Sequence, residues 1–435
     1  MAGRQLSGLD VAFLCLDGEK SPMHMGAVAV FAPARTIAPD RLAALLADRA
    51  AKLPRLRERV TPSLLPPGSA YWSEDPRFDA RRHVQVRELD GRCTEDALAE
   101  HAAHWLEEPL DLRRPPWQLR LVTGLPDGRF ALLVKLHHAF TDGAGAFAVA
   151  AGLLDELPVT ATLLAATGRP APPRSPLTLL KDTIGEAGEN LGIASAVLRA
   201  ARPYPVSPLA APESATRRLG LVRLDLADFR TIRAAHGGTA NDVLLAVLAG
   251  ALRRWLADQG RRPTVRPLRA LVPVSTRGRD GGTAGNQLSG YLCELPVHLE
   301  DPVERLHAVR RSMNRNKAAG PLAGAGAVPV LAGRLPAPVH RLATRFAGQA
   351  AGLLFDTVVT NVPLPKLDLT LDGAPLREVY PLVPLASRHA VGIAAALFGE
   401  SVHIGLQANG AAVADTGSLR DAVLKSAAEL CERSL

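Results

Sequence analysis

Cysteine is rare in this 435-residue chain, and its four copies, Cys15, Cys93, Cys293 and Cys431, stand far apart with no C-x-x-C among them. That dispersal argues against a thiolate zinc site and against a disulfide framework, and a reducing cytoplasm is the simplest compartment. Aromatic residues are also few, with four Tyr, four Trp and ten Phe, and no dense Lys/Arg tract lies beside an aromatic platform. Nucleic acid is therefore not an expected partner. Long apolar runs are missing too: the longest uncharged stretch, Ala318 to Gly333, contains Pro and several Gly and is short for a membrane span. Residues 1–20 carry Asp10, Asp17 and Glu19 and lack a basic region followed by an apolar core, so a secretory signal is not expected. Any membrane association is expected to be peripheral.

What the chain does have is length and apolar content. With 47% hydrophobic residues and 435 positions it exceeds one ordinary core, which implies two subdomains. The most informative stretch runs from Phe130 to Gly143. Leu132, Val134 and Leu136 share one face of a period-2 strand that His138 continues, while Lys135 and His137 fall on the other. On this pattern only His138 points to an apolar interior. Thr141, Asp142, Gly143 and Gly145 then break the strand, and Ala146 to Leu154 reads as a helix. An imidazole at a strand's end can take a proton from a hydroxyl near neutral pH, and a nearby carboxylate can fix its tautomer or its loop. A buried, satisfied histidine beside an ordinary Asp-Gly turn is the plainer alternative; the complete spacing His137-His138-x-x-x-Asp142-Gly143 favours the chemical one.

That spacing resembles the HHxxxDG signature of the chloramphenicol acetyltransferase and condensation-domain superfamily, whose members move an acyl group from a thioester to a hydroxyl or amine. Four further segments are similar to the bacterial wax ester synthase/diacylglycerol acyltransferase family and follow its order. They are Leu6-Ser-Gly-Leu-Asp10 with Phe13 and Pro22-Met-His-Met-Gly26, Pro109-Leu-Asp111 with Arg114-Pro-Pro-Trp117, Asn241-Asp-Val243, and Thr360-Asn-Val-Pro363. Pro116 stands where the family usually has leucine. The resemblance implies an α/β fold of two pseudo-symmetric chloramphenicol-acetyltransferase-like subdomains, each on a mixed β-sheet, with a tunnel between them and the histidine motif at its middle.

The rest of the chain divides accordingly: residues 1–167, a Pro-rich linker at 168–218, and 219–435. Within the linker, Leu177, Leu180, Ile184, Leu191, Ala194 and Leu198 recur at helical spacing, a stripe that either docks on the parent protein or faces lipid. Arg334 to Phe355, with Val339, Leu342, Phe346 and Ala350 amid arginines, is a second candidate for a lipid surface. Thr94 is a candidate N-cap, and Asn241-Asp242 sits at a helix start where either residue can cap free amides. Trp117 to Val122 and Phe130 to His138 read as an antiparallel pair through Pro126-Asp-Gly128. His24 is open to a tunnel-facing or a structural reading, the structural one being favoured.

As to chemistry, the resemblance implies long-chain acyl-CoA as co-substrate, with no separate cofactor and no metal. Its acceptor is diacylglycerol, giving triacylglycerol, or a fatty alcohol, giving a wax ester. His138 takes the role of general base, His137 that of its positional partner, and Asp142 holds the motif loop, with amides near Gly143 helping to stabilise the oxyanion. The strand leading into Ser275 and the Gly-rich loop bearing Asn286 can offer donors to a thioester or to CoA. Trp117 is either substrate-binding or an aromatic anchor of the core, and Asp111 and Arg114 can pair with each other or brace the motif loop. The formal charge of +8, with Arg exceeding Lys, suits acyl-CoA phosphates or anionic headgroups. So apolar an acceptor points to a cytoplasmic protein associated peripherally with the inner membrane or lipid droplets. The alternatives are a carrier-protein-dependent condensation-type acyltransferase and a non-catalytic lipid-binding protein. A metal site shared by both histidines is disfavoured, because neighbours on a strand point to opposite faces.

Overall fold

Helix starts in this chain follow its local chemistry. Strand β1 (Arg4–Gln5) leads into α1 (Gly8–Leu16), where the Ser7 hydroxyl accepts the Asp10 N–H and the Asp10 carboxylate accepts the Ser7 N–H, a reciprocal capping box. There follow β2 (His24–Phe31), α2 (Pro39–Lys52), β3 (Glu58–Pro62), β4 (Ala70–Glu74) and β5 (Val84–Glu88). Helix α3 (Glu95–Glu107) begins at Thr94, whose hydroxyl accepts the Ala97 N–H as expected of an N-cap. Strands β6 (Trp117–Thr123) and β7 (Phe130–His137) form the expected antiparallel pair, and α4 begins at Gly143 rather than Ala146 and runs to Leu153. The structure, a computed structural model, describes residues 4–63, 70–89, 94–141, 143–155, 207–261, 266–275, 288–319, 354–364 and 367–435.

The second half contains β8 (Arg217–Asp225), α5 (Leu226–His236) and α6 (Ala240–Asp258). The cap of α6 is Thr239, with Asp242 closing the box; Asn241 lies inside the first turn and caps nothing. Next come β9 (Leu268–Ser275), β10 (Leu288–Leu295), α7 (Pro302–Ala319), β11 (Thr357–Val362), β12 (Thr370–Leu371) and β13 (Ala374–Leu382). The described fold ends with β14 (Val391–Phe398), β15 (Ser401–Asn409) and α8 (Gly417–Glu432).

Two six-stranded sheets organise these elements, in the orders β12-β13-β2-β7-β6-β5 and β10-β9-β11-β14-β15-β8; β1, β4 and β3 make a small third sheet. Both large sheets are mixed, β5 running parallel to β6 in the first and β11 parallel to β9 and β14 in the second. Strand β13 belongs by sequence to the second half and by pairing to the first sheet, where it lies against β2. The sheets touch where it crosses: a Cβ at Gly405 of β15 would stand 2.2 Å from the Pro381 carbonyl oxygen of β13.

Strand β7 is central to the first sheet and is covered on both faces. Leu132, Val134 and Leu136 pack with Leu42 and Leu46 of α2 and with Trp117, while Ala131 and Leu133 pack with Leu98 and Trp105 of α3 and with Leu219 and Leu221 of β8. The second face is thus an interior built by α3 and by the other half of the chain. Helix α6 is buried on every side from Val243 to Leu252 and forms the core of the second half with its sheet and α8. Among the described residues no helix is long and apolar enough to cross a membrane. The stripe at 177–198 and nearly all of 334–355 lie outside the described residues.

His403 on β15 is 1% exposed, packs edge-on against Tyr380, and has no hydrogen-bond partner for either ring nitrogen among the described residues. Burial, aided by Arg223, holds it down to about 4. Between its ordinary value and pH 4 the unfolded chain takes up a proton that the folded one refuses, so this histidine costs stability as pH falls through that window. Replacing it, His403→Leu, is expected to raise the melting temperature little at pH 8 and progressively more as pH falls towards 4, where the difference approaches about 3 kcal/mol. Thermal unfolding of both proteins across pH checks this; a pH-independent gain would contradict it.

Candidate active site

The site is assembled by main-chain register. Strands β2 and β7 pair antiparallel with His24 opposite His137, and the Met23 carbonyl accepts the His138 N–H at 2.8 Å. The Pro-Met-His-Met-Gly segment is thereby laid against the histidine pair. Gly26 is required for that approach, because a Cβ would stand 2.0 Å from the Val134 carbonyl oxygen.

His137 ends β7 and is 0% exposed. Its N–H donates to the Pro116 carbonyl at 3.0 Å, and its Nδ1 accepts the Ala139 N–H at 3.1 Å. An accepting Nδ1 leaves the neutral ring's proton on Nε2, which faces Asp17 Oδ2 at 3.7 Å. His138 lies one residue beyond the strand, half-buried, with Phe13 of α1 stacked on it at 3.9 Å between ring centroids. The sidedness expected from alternation is therefore corrected: His137 is the enclosed histidine and His138 the one with open surface. Both faces of β7 are covered, and the strand ends before His138.

Arg55 locks the turn from the other side. Its guanidinium lies 4.2 Å from the Trp72 ring and 4.3 Å from the Phe140 ring, and it donates to the Phe140 carbonyl and to Glu58. Phe140 N–H in turn donates to the His137 carbonyl at 2.8 Å. Nothing in the pattern of Pro54-Arg-Leu-Arg57 marks this role.

Behind the turn is a buried polar layer. Lys135, 0% exposed, donates through Nζ to the carbonyls of Trp105 and Glu108 at 2.8 and 2.9 Å, and His24 Nδ1 donates to the Leu106 carbonyl at 3.1 Å. The last carbonyls of α3, left without helical partners, are thus satisfied from the central strands. Burial holds Lys135 down to about 7, and burial together with the Lys135 charge holds His24 down to about 4. His24 is accordingly structural, as favoured. Burial pushes the Asp17 carboxyl up, but the facing His137, the Met23 N–H and His24 outweigh it, leaving it below the ordinary carboxylate range. Sequence reasoning missed these groups, and two signs could have found them: a lysine inside an apolar strand, and a carboxylate at the C-terminus of α1, where the helix dipole disfavours it.

Of the other candidates, Gly143 is the first residue of α4 and Ser275 the last of β9, opposite Leu288. Asp142 and Asn286 lie outside the described residues. Trp117 is corrected from substrate-binding to the alternative reading: 1% exposed, it stacks on His83 and donates its indole N–H to the Leu56 carbonyl at 2.7 Å, so it anchors the core. Asp111 pairs with Arg113 and Arg114 at the surface.

The Arg55 contacts set an expectation. Arg55→Lys keeps the charge but loses the planar fork and the stacking, so unfolding free energy is expected to fall by about 1–3 kcal/mol, with faster hydrogen exchange at Ala139 and Phe140. Denaturant titration and exchange mass spectrometry measure both; unchanged exchange would remove Arg55 from the turn's support.

Residues 6–244 match the model of the wax ester synthase/diacylglycerol acyltransferase catalytic domain, and residues 284–430 that of the WS/DGAT C-terminal domain. The probable diacylglycerol O-acyltransferase tgs1 of Mycobacterium tuberculosis is 32% identical over 98% of this chain and 95% of its own, and tgs2 of the same species is 31% identical over 88% and 89%. Among solved structures, the wax ester synthase/diacylglycerol acyltransferase from Marinobacter aquaeolei VT8 aligns over 99% of both chains with a TM-score of 0.71 and 26% identity. The trichothecene 15-O-acetyltransferase TRI3 of Fusarium sporotrichioides shares the fold alone, at 12% identity and a TM-score of 0.64 over 98% of this chain and 94% of that one. Sheets, motif turn and matched segments agree, and the chain belongs to the wax ester synthase/diacylglycerol acyltransferase family.

Proposed function

We propose that the protein moves a long-chain acyl group from acyl-CoA to the hydroxyl of diacylglycerol or of a fatty alcohol, with His138 as general base. Family membership supplies the class of reaction, and the observation that carries the role of His138 is its placement. It is an imidazole with open surface, held by the Met23 carbonyl through its backbone and by Phe13 through its ring, beside a partner histidine that is fully enclosed.

Transfer is direct. The His138 imidazole takes the hydroxyl proton as the oxygen attacks the thioester carbonyl; the tetrahedral carbon then collapses, the C–S bond breaks, and the imidazolium returns the proton to the departing sulfur. An ester C–O bond forms at the expense of a thioester C–S bond, with no acyl-enzyme, metal or added cofactor in the balance. In this scheme Asp142 holds the motif loop and amides at the start of α4, near Gly143, face the oxyanion. Ser275 and Asn286 are the residues to test for contacts to the thioester or CoA.

Diacylglycerol is the first acceptor to try, because the relatives at 31–32% identity are named for it; the Marinobacter structure bears both names. So apolar an acceptor would be met at a membrane or lipid-droplet surface, approached from the cytoplasm, with the stripes at 177–198 and 334–355 as candidate contacts. Purified protein given acyl-CoA with diacylglycerol or hexadecanol, assayed for thiol release and lipid product, decides the matter. Ester is expected with at least one acceptor, and His138→Ala is expected to lower kcat by about 10²–10⁴-fold. Absence of ester with both acceptors, or an alanine variant as fast as wild type, would sink the reading.

A further inference from the structure

We infer that Asp17 is the positioning residue for both motif histidines, one carboxylate serving the two through its two oxygens. The inference rests on His138 being the base. Oδ2 faces Nε2 of His137 at 3.7 Å, and Oδ1 accepts the Met23 N–H at 2.8 Å. The carbonyl of that same Met23 accepts the His138 N–H at 2.8 Å. One oxygen therefore addresses the imidazole of the enclosed histidine, and the other reaches the half-buried His138 through a single residue.

The need at His137 is physical. Its Nδ1 is occupied by the Ala139 N–H, so the ring proton sits on Nε2, fully buried and without a hydrogen-bond acceptor among the described residues. A separation of 3.7 Å is too long for a hydrogen bond, and the carboxylate offsets the buried N–H by its charge. His24, whose ring lies 6.4 Å from that of His137, and Lys135 behind it are the other titratable groups of this layer. Both already donate to the end of α3, so neither takes the place of Asp17.

The carboxylate also sits at the C-cap of α1, where a negative charge is unfavourable. A purely local role would be better filled by Asn or Gly. The same helix carries Phe13, stacked on His138, so α1 and its C-cap together form the wall against which the pair is set. From the far side the loop is tied down by Arg217, 1% exposed, which donates to the Lys20 carbonyl at 3.0 Å while its own N–H donates to Glu107 of α3 at 2.7 Å.

Asparagine is a discriminating substitution. Both oxygens of Asp17 face donors, and an amide has only one oxygen, so Asp17→Asn must turn its NH₂ against either Met23 N–H or His137 Nε2–H. Asp17→Glu restores two accepting oxygens on a longer stem. In the acyl-transfer assay Asp17→Asn is expected to lower kcat about 10²-fold while leaving KM within about threefold, with Asp17→Glu recovering at least about tenfold. In a His138→Ala background Asp17→Asn is expected to add less than about twofold, since no base remains to be placed. Imidazole ¹⁵N NMR supplies a readout that needs no turnover: wild type should show His137 as the Nε2–H tautomer, and Asp17→Asn a changed tautomer. If His138→Ala abolishes activity while Asp17→Asn matches wild type, or if the Asn loss persists undiminished without His138, the inference is overturned and the base assignment stands. If His138→Ala is fully active, the base assignment falls, and the tautomer measurement alone decides the pairing of Asp17 with His137. An unfolded Asn variant leaves the Glu rescue and the wild-type tautomer to decide; a wild-type Nδ1–H tautomer at His137 would refute the inference.

Discussion

The pairing of β2 with β7 is the constraint on which this site depends. It sets His24 opposite His137, brings the Met23 carbonyl to the His138 N–H, and admits no side chain at Gly26, where the two backbones meet too closely for a Cβ. Residues from the first two dozen positions and from the strand more than a hundred residues later are thereby held in one register. A slip of one residue would exchange the faces of every side chain on β2 and remove the support beneath both histidines.

Behind that pairing lies a layer of polar groups that a hydrophobic core would not choose. Lys135, His24, His137 and Arg217 are all nearly or fully enclosed, and each enclosed charge or imidazole costs free energy unless something answers it. Here the answers are mostly main-chain carbonyls: the end of α3 for Lys135 and His24, and the segments at Lys20 and Ser214 for Arg217. Such bonds are directional, so they define where α3 and the α1–β2 loop sit more narrowly than apolar contact could. The turn bearing His138 inherits that definition, with Arg55 clamping Phe140 on one side and Phe13 stacking on His138 on the other.

The two halves are coupled through the same region. Strand β13 leaves the second half to join β2, and α3 fills the space between β7 and β8. Motion of one half against the other would disturb the first sheet directly, because the edge of β2 away from β7 is paired with a strand from the second half. The Glu107–Arg217 contact lies at this junction, only a few residues along the chain from the α3 carbonyls that hold Lys135 and His24.

Local rules were legible where local chemistry decides. The hydroxyl at Thr94 marks a helix start, the Pro126-Asp-Gly128 turn marks a hairpin, and the matched motifs placed the chain in its family and fold. Burial was not legible. Alternation along β7 correctly separated Leu132, Val134 and Leu136 from Lys135 and His137, yet it carried no information about what would cover each side. The cover for the second face comes from α3 and from Leu219 and Leu221 of the other half, so His137 is enclosed and His138 is not. The same holds for Trp117, whose indole finds its acceptor at Leu56, and for Asp17, whose partners lie on β7 and beyond its own helix. By itself the amino-acid order determined the periodicities, the caps and the chemistry-bearing residues, because these depend on near neighbours. Which of two adjacent histidines is shielded, and which carboxylate faces it, only the tertiary structure decided, because desolvation is imposed by segments distant in the chain.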